Sequence, residues 1–162
     1  MEKKEIKIVG LDLDGTLLTD KKELLPYTKN VIKEALKNGT VVLVATGRPW
    51  TGVPEELREL PGMDYALTAN GARIIETRTG KVLEEHLLSK EAAKKAIAIG
   101  RKYDTLLEVY FDGQGYAQKD EIAQVRKYHK NPNMWDYFLR TRIAVDLSLI
   151  HISEPTRPER IS

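Results

Sequence analysis

The chain has 162 residues, enough for one compact domain with a real core or for one domain and part of a second. Lys and Arg number 26 against 24 Asp and Glu, a formal charge of +2, which is too balanced to mark a nucleic-acid or polybasic membrane surface. The absence of cysteine excludes disulfides, thiolate metal sites and thiol nucleophiles.

In chain order, Ile6 to Leu13 is a short run of Ile, Val and Leu, the pattern of a strand buried on both faces at the centre of a parallel sheet. Pro26 can open a helix that carries Val31, Ile32, Ala35 and Leu36 on one face and stops at Asn38-Gly39. A second buried strand is expected at Val41 to Ala45, a short helix at Pro54 to Leu60, and a third strand at Tyr65 to Thr68. Strand, helix, strand, helix, strand is the order of an α/β layer with right-handed crossovers. After Asn70-Gly71 the pattern changes. A hairpin is predicted from Ala72 to Ile75 and Lys81 to Leu83, then a helix capped by Ser89 and running through Lys102. A strand at Leu106 to Phe111, a turn at Asp112-Gly113, a partner strand at Gly115 to Gln118 and a helix at Asp120 to His129 follow. No apolar run approaches a membrane span, and the opening MEKKEIKIVGLD lacks the features of a signal peptide, so a cytoplasmic protein with no membrane or nucleic-acid partner is expected.

The chemistry concentrates at strand ends. Asp12 and Asp14 fall at the carboxyl end of the first strand, where open parallel sheets expose their binding crevice. Two carboxylates there invite Mg²⁺, which takes oxygen ligands from one or two acids together with phosphate and water. Gly15 lets the chain leave the strand sharply and, with Thr16, brings main-chain N–H groups toward a phosphate. Asp12 suits an oxygen nucleophile whose charge repulsion a metal offsets, and Asp14, two residues on, suits the acid that protonates the leaving oxygen and later activates water. The plainer alternative makes both acids turn residues beside Asp14-Gly15. A calcium loop does not fit, because the glycine is fourth from Asp12 rather than sixth. At the second strand end, Thr46 can donate its hydroxyl to a phosphate oxygen, Gly47 leaves its N–H accessible, and Arg48 can add charge-assisted contacts. At the third, Asn70 reads equally as a pocket group or as a residue tolerant of a left-handed turn. Trp50 is equally open between a substrate entrance and a packing anchor, and Tyr128, Trp135, Tyr137 and Phe138 read as core. His86 and His129 lack a second ligand at metal spacing and are expected to be solvated.

Together, D-L-D-G-T-L at Asp12 to Leu17, V-A-T-G-R-P at Val44 to Pro49 and T-A-N-G-A at Thr68 to Ala72 resemble the haloacid dehalogenase superfamily, in its Cof-like phosphatase branch. The resemblance covers Ile6 to about Tyr137. It implies an α/β fold with a Rossmann-like parallel sheet core, here incomplete, and the beginning of an inserted α/β cap domain. It further implies Mg²⁺ as cofactor and a small phosphorylated metabolite as substrate. By residue, it implies Asp12 as nucleophile and metal ligand, Asp14 as acid/base and main-chain carbonyl metal ligand, and Thr46 as phosphate ligand. The expected division is 1–83 core, 84–146 partial cap and 147–162 tail. A lysine and a late Gly-Asp strand end that complete the family's site are not found; Lys119, Lys127, Lys130 and Asp146 read as surface charges. Leu147 to Arg157, L-S-L-I-H-I-S-E-P-T-R, looks like a translated sequencing adapter, so the expectation is a truncated and inactive phosphatase. The alternatives are a noncatalytic phosphate-binding module and a gene fragment with no function.

Overall fold

A computed structural model of the chain describes residues 5–147. It contains two sheets. The first has five strands in the order β1 (Ile8–Leu11), β2 (Val41–Ala45), β3 (Tyr65–Thr68), β4 (Arg73–Glu76) and β5 (Val82–Glu85). β1, β2 and β3 pair in parallel, so their carboxyl ends lie along one edge of the sheet. β4 pairs antiparallel with β3 and β5 with β4, so the predicted hairpin extends this sheet.

α1 (Pro26–Lys37) crosses from β1 to β2 and begins with proline at its first turn, where the missing N–H costs nothing. It stops at Asn38, and Gly39 takes φ +82°, a conformation open to glycine. Its Ile32 packs with α2 (Glu55–Arg58), Leu57, Leu60 and Met63 against Val42, Val44 and Ala66 on one face of the sheet. Val31, expected on the buried face, is exposed.

The opposite face is largely open, and this overturns the expectation of a doubly buried, central first strand. β1 is an edge strand, Ile8 is 64% exposed, and Val41 and Tyr65 at the same face are each 38% exposed. Apolar composition records that a strand can be covered, whereas coverage depends on whether elements are present to supply it.

The second sheet orders as β6 (Glu108–Phe111), β7 (Gln114–Gln118) and β8 (Arg142–Val145). β6 and β7 form the predicted hairpin, with Asp112 and Gly113 at positive φ in its turn. β8, which sequence reasoning did not anticipate, pairs parallel with β7. α3 (Lys90–Gly100) precedes this sheet, and its Ser89 cap accepts a hydrogen bond from the Ala92 N–H at 3.2 Å. The helix expected at Asp120 to His129 is two short pieces, α4 (Lys119–Ile122) and α5 (Val125–Tyr128), broken where Gln124 leaves helical geometry. α6 (Pro132–Thr141) then supplies Tyr137 and Phe138 to a core with Ala117, Ile122 and Val125. His129 is half-buried and stacks on Phe138, with ring centroids 4.3 Å apart, rather than standing in solvent. Among the described residues no helix is long and apolar enough to cross a membrane. Except for Leu147, which is buried, the 147–162 segment lies outside the described residues.

Candidate active site

Parallel pairing of β1, β2 and β3 brings three strand-end loops together. Asp12 follows β1 directly and is exposed. Among the described residues its carboxylate accepts one hydrogen bond, from the Thr16 hydroxyl at 3.0 Å, and its main-chain carbonyl accepts the Leu17 N–H at 3.2 Å. Gly15 turns this loop at φ +78°, where a side chain would be strained. Leu13 between the two acids is fully buried, which anchors the loop from beneath and points its neighbours outward.

Asp14 is held differently. The Arg48 guanidinium grips it bidentately, Nε to Oδ2 at 2.8 Å and Nη2 to Oδ1 at 2.7 Å, and Lys22 Nζ donates to Oδ1 at 2.7 Å. Arg48 bonding, only partly opposed by burial, lowers the Asp14 pKa to about 2, with Lys22 adding to the effect. Arg48 itself is 6% exposed; its Nη1 donates to the Gly52 carbonyl at 2.8 Å, and its guanidinium lies 4.3 Å from the Tyr137 ring centroid. The guanidinium expected to meet phosphate is thus directed to the second acid.

Thr46 is buried at the end of β2, and its hydroxyl oxygen accepts the Arg48 N–H at 3.2 Å, which leaves the hydroxyl hydrogen available to an acceptor. The third loop locks onto this one: Asn70 N–H donates to the Thr46 carbonyl at 3.2 Å and Ala69 N–H to the Arg48 carbonyl at 2.9 Å. Asn70 has left-handed geometry, φ 56° and ψ 35°, yet its carboxamide also reaches the second loop. A Cβ placed on Gly47 would sit 2.6 Å from Asn70 Oδ1, so the absence of a side chain at Gly47 is what admits Asn70. The left-handed reading of Asn70 holds, and its carboxamide lies against the second loop.

Sequence reasoning missed two contributors. Lys22 sits at φ +65° in the loop before α1, eight residues from Asp14, and no spacing rule singles it out among Lys21 and Lys22. Tyr137 comes from the second sheet's unit, whose other contacts reach the same loops: Thr51 donates to the Gly113 carbonyl and Asn133 to the Asp20 carbonyl. Trp50 packs partly buried against the first core.

A divalent cation would find the Asp12 carboxylate and the Asp14 main-chain carbonyl. Oxygen donors of this kind suit Mg²⁺, and Asp14's own carboxylate is engaged by cations. Among the described residues no group of three His, Cys, Asp or Glu is placed to hold a metal, so the protein donors number fewer than a dedicated cage would supply.

Comparison with known proteins agrees with this arrangement. The model of the haloacid dehalogenase-like hydrolase family matches residues 9–158, a span that enters the 147–162 segment. The chain is 27% identical over 161 residues to YxeH of Bacillus subtilis, covering 96% of this chain and 60% of that protein. It is 29% identical over 125 residues to a protein of Serratia proteamaculans named HMP-PP phosphatase, covering 76% of this chain and 45% of that one. A crystal structure of a haloacid dehalogenase-like hydrolase from Bacteroides thetaiotaomicron shares the fold, with a TM-score of 0.72 at 22% identity over 93% of this chain and 56% of that one. The chain therefore spans about half the length of these relatives, from 45% to 60%. With its three strand-end loops interlocked as described and the family model covering nearly its whole length, the chain belongs to the haloacid dehalogenase-like hydrolases.

Proposed function

We propose that this chain carries the phosphoryl-accepting part of a Mg²⁺-dependent phosphatase acting on small phosphorylated metabolites through an aspartyl-phosphate at Asp12. The observation that carries this reading is the unequal treatment of two neighbouring acids: among the described residues Asp12 is exposed with a single hydroxyl partner, whereas Asp14 is clamped by two cations. A nucleophile needs a free oxygen, and a proton carrier needs a fixed position.

In the first step an Asp12 carboxylate oxygen attacks phosphorus, the ester P–O bond breaks, and the leaving oxygen takes a proton. Main-chain N–H groups at Gly15 and Thr16, the Thr46 hydroxyl and the Gly47 N–H hold the phosphate oxygens, and Asn70 fixes the second loop. Mg²⁺, when bound at Asp12 and the Asp14 carbonyl, supplies charge neutralisation between nucleophile and phosphate. In the second step Asp14, already ionised, takes a proton from the water that attacks the phosphorylated Asp12. To serve as the acid of the first step it must hold a proton, and a phosphate drawing Arg48 and Lys22 away would move its pKa back toward the ordinary carboxylate range. Relatives named for phosphatase activity support the reaction class.

Residues 1–162 alone should turn over slowly and bind Mg²⁺ weakly, because a site with two protein oxygens leaves most coordination to water. The test is hydrolysis of p-nitrophenyl phosphate with and without Mg²⁺ by the chain and by Asp12→Asn. A small Mg²⁺-dependent rate that disappears in Asp12→Asn is expected; a rate unchanged by the substitution rules out this nucleophile. A noncatalytic phosphate-binding module is the second reading, favoured by the engagement of Asp14 with Arg48, and it would bind phosphate without any turnover.

A further inference from the structure

A guanidinium donates hydrogen bonds only from its edge, so a buried one also needs a packing partner on its face. Arg48 uses its edge on Asp14 and on the Gly52 carbonyl, and its guanidinium carbon lies over the Tyr137 ring. That ring comes from α6, past Gly52, where a Cβ would stand 2.5 Å from the Tyr137 hydroxyl oxygen. The absence of a side chain at Gly52 is what admits it.

The ring is set from its own side as well. Arg142 Nη1 donates to the Tyr137 hydroxyl oxygen at 3.3 Å, and Arg142 is fixed in turn by Glu108 and by the Tyr110 hydroxyl, which its Nη2 reaches at 3.0 Å. Arg142 lies close against Gly115 of β7, where a Cβ would stand 2.6 Å from its Cδ. Tyr137 and Arg142 are both buried, whereas the hydrogen bonds that Thr51 and Asn133 make between the two units are exposed. Phe138 is as buried as Tyr137 and meets its ring edge-on at 5.5 Å, but packs against His129 and Arg142.

We propose that Tyr137 is a positioning residue of the phosphoryl-transfer site: from the second unit its ring holds the Arg48 guanidinium against Asp14 and thereby fixes the Asp14 carboxylate. The chemical consequence rests on the phosphatase reading. In the second step the water oxygen bonds to phosphorus, the bond from phosphorus to the Asp12 oxygen breaks, and the water proton passes to Asp14, so phosphate leaves and Asp12 regains its carboxylate. Displacing a catalytic group by about 1 Å costs up to about a hundredfold, and Lys22 still holds Asp14 when Tyr137 is lost, so a partial loss is expected. Transfer to Asp12 from acetyl phosphate expels acetate, a good leaving group that needs little help from an acid. The two steps therefore respond differently to Tyr137.

The first readout is independent of turnover: the proton–nitrogen NMR resonance of Arg48 Nε–H, the donor to Asp14 Oδ2, identified by its loss in Arg48→Met. Its exchange with solvent should quicken about tenfold in Tyr137→Leu and change less than about twofold in Tyr137→Phe, which keeps the ring. Phe138→Leu, which opens the second core without uncovering Arg48, should also change it less than about twofold. Gly52→Ala, which pushes the ring aside without opening that core, should quicken it. The second readout is radiolabel from acetyl phosphate with Mg²⁺. In Tyr137→Leu, release of label should slow about tenfold while its formation stays close to that of the parent chain, and Tyr137→Phe should release at the parent rate. Unchanged exchange in Gly52→Ala, equal quickening in Phe138→Leu, or formation and release slowed alike in a folded Tyr137→Leu would each overturn the proposal. A parent chain that takes no label refutes the phosphatase reading, while the exchange measurement still decides whether Tyr137 holds Arg48.

Discussion

Replacing Arg48 with Met keeps most of the volume of a buried side chain while removing every polar contact that ties the second strand end to the first. The lost contacts are the bidentate grip on Asp14, the bond to the Gly52 carbonyl at 2.8 Å and the stacking on Tyr137 at 4.3 Å. The Gly52 bond, buried and charge-assisted, is worth about 1.5 kcal/mol, and the cation–π contact about 1 kcal/mol. The Asp14 pair contributes less than its short distances suggest, about 1 kcal/mol, because the Asp14 side chain is 39% exposed and keeps Lys22. Relief of guanidinium desolvation offsets part of the loss, so the net cost is about 2 kcal/mol. The pH dependence has a definite sign. Asp14 falls from 3.8 to about 2 on folding, so its contribution is complete above pH 3.8 and is lost as pH falls through about 2. Urea unfolding followed by circular dichroism, at pH 6 and at steps down to pH 2, should show the difference between the parent chain and Arg48→Met shrinking by about 1 kcal/mol across that window. A difference below about 0.5 kcal/mol at pH 6, or one that grows on acidification, would show that Arg48 does not hold Asp14 in the folded chain.

Arg142→Met should cost more, about 3 kcal/mol, because it strands Glu108, 19% exposed, in a network with Tyr110 and Tyr137; urea unfolding measures it. Gly47→Ala should change stability by less than about 1 kcal/mol, since the Asn70 carboxamide can turn away. The same change should weaken Mg²⁺-dependent binding of inorganic phosphate about tenfold, read by phosphorus NMR titration. Ile8→Lys, on the open face of the edge strand, should leave the melting temperature unchanged, because Ile8 is 64% exposed and belongs to neither described core; thermal unfolding measures it.

Local punctuation made much of the first sheet legible. Pro26 and Asn38-Gly39 bracket α1, and the three strands that lead into Asp12, Thr46 and Asn70 follow their apolar runs. Those same strand ends named the loops that meet in space, because parallel strands separated by crossovers put their carboxyl ends on one edge. The exposure of β1 was not legible, since Ile and Val read alike whether a covering layer is present or not. Nor was the clamp on Asp14, which depends on Lys22 adopting a left-handed backbone and on Arg48 turning toward the first strand end. Tyr137 beneath Arg48 joins residues 89 positions apart across two units, a contact set by docking and invisible to any window of local sequence. β8 was missed because R-I-A-V follows α6 directly, with no turn residue between Thr141 and Arg142 to mark its start.

Phosphorylation of Asp12 is the decisive measurement. The chain would be incubated with radiolabelled acetyl phosphate and Mg²⁺, and the label mapped by proteolysis and tested for release by hydroxylamine, which cleaves acyl phosphates. The account predicts a hydroxylamine-sensitive label on the peptide containing Asp12, dependent on Mg²⁺ and absent from Asp12→Asn, because Asp12 has a free carboxylate oxygen while the cations hold Asp14. Label found at another residue, or retained at the same level in Asp12→Asn, would contradict it.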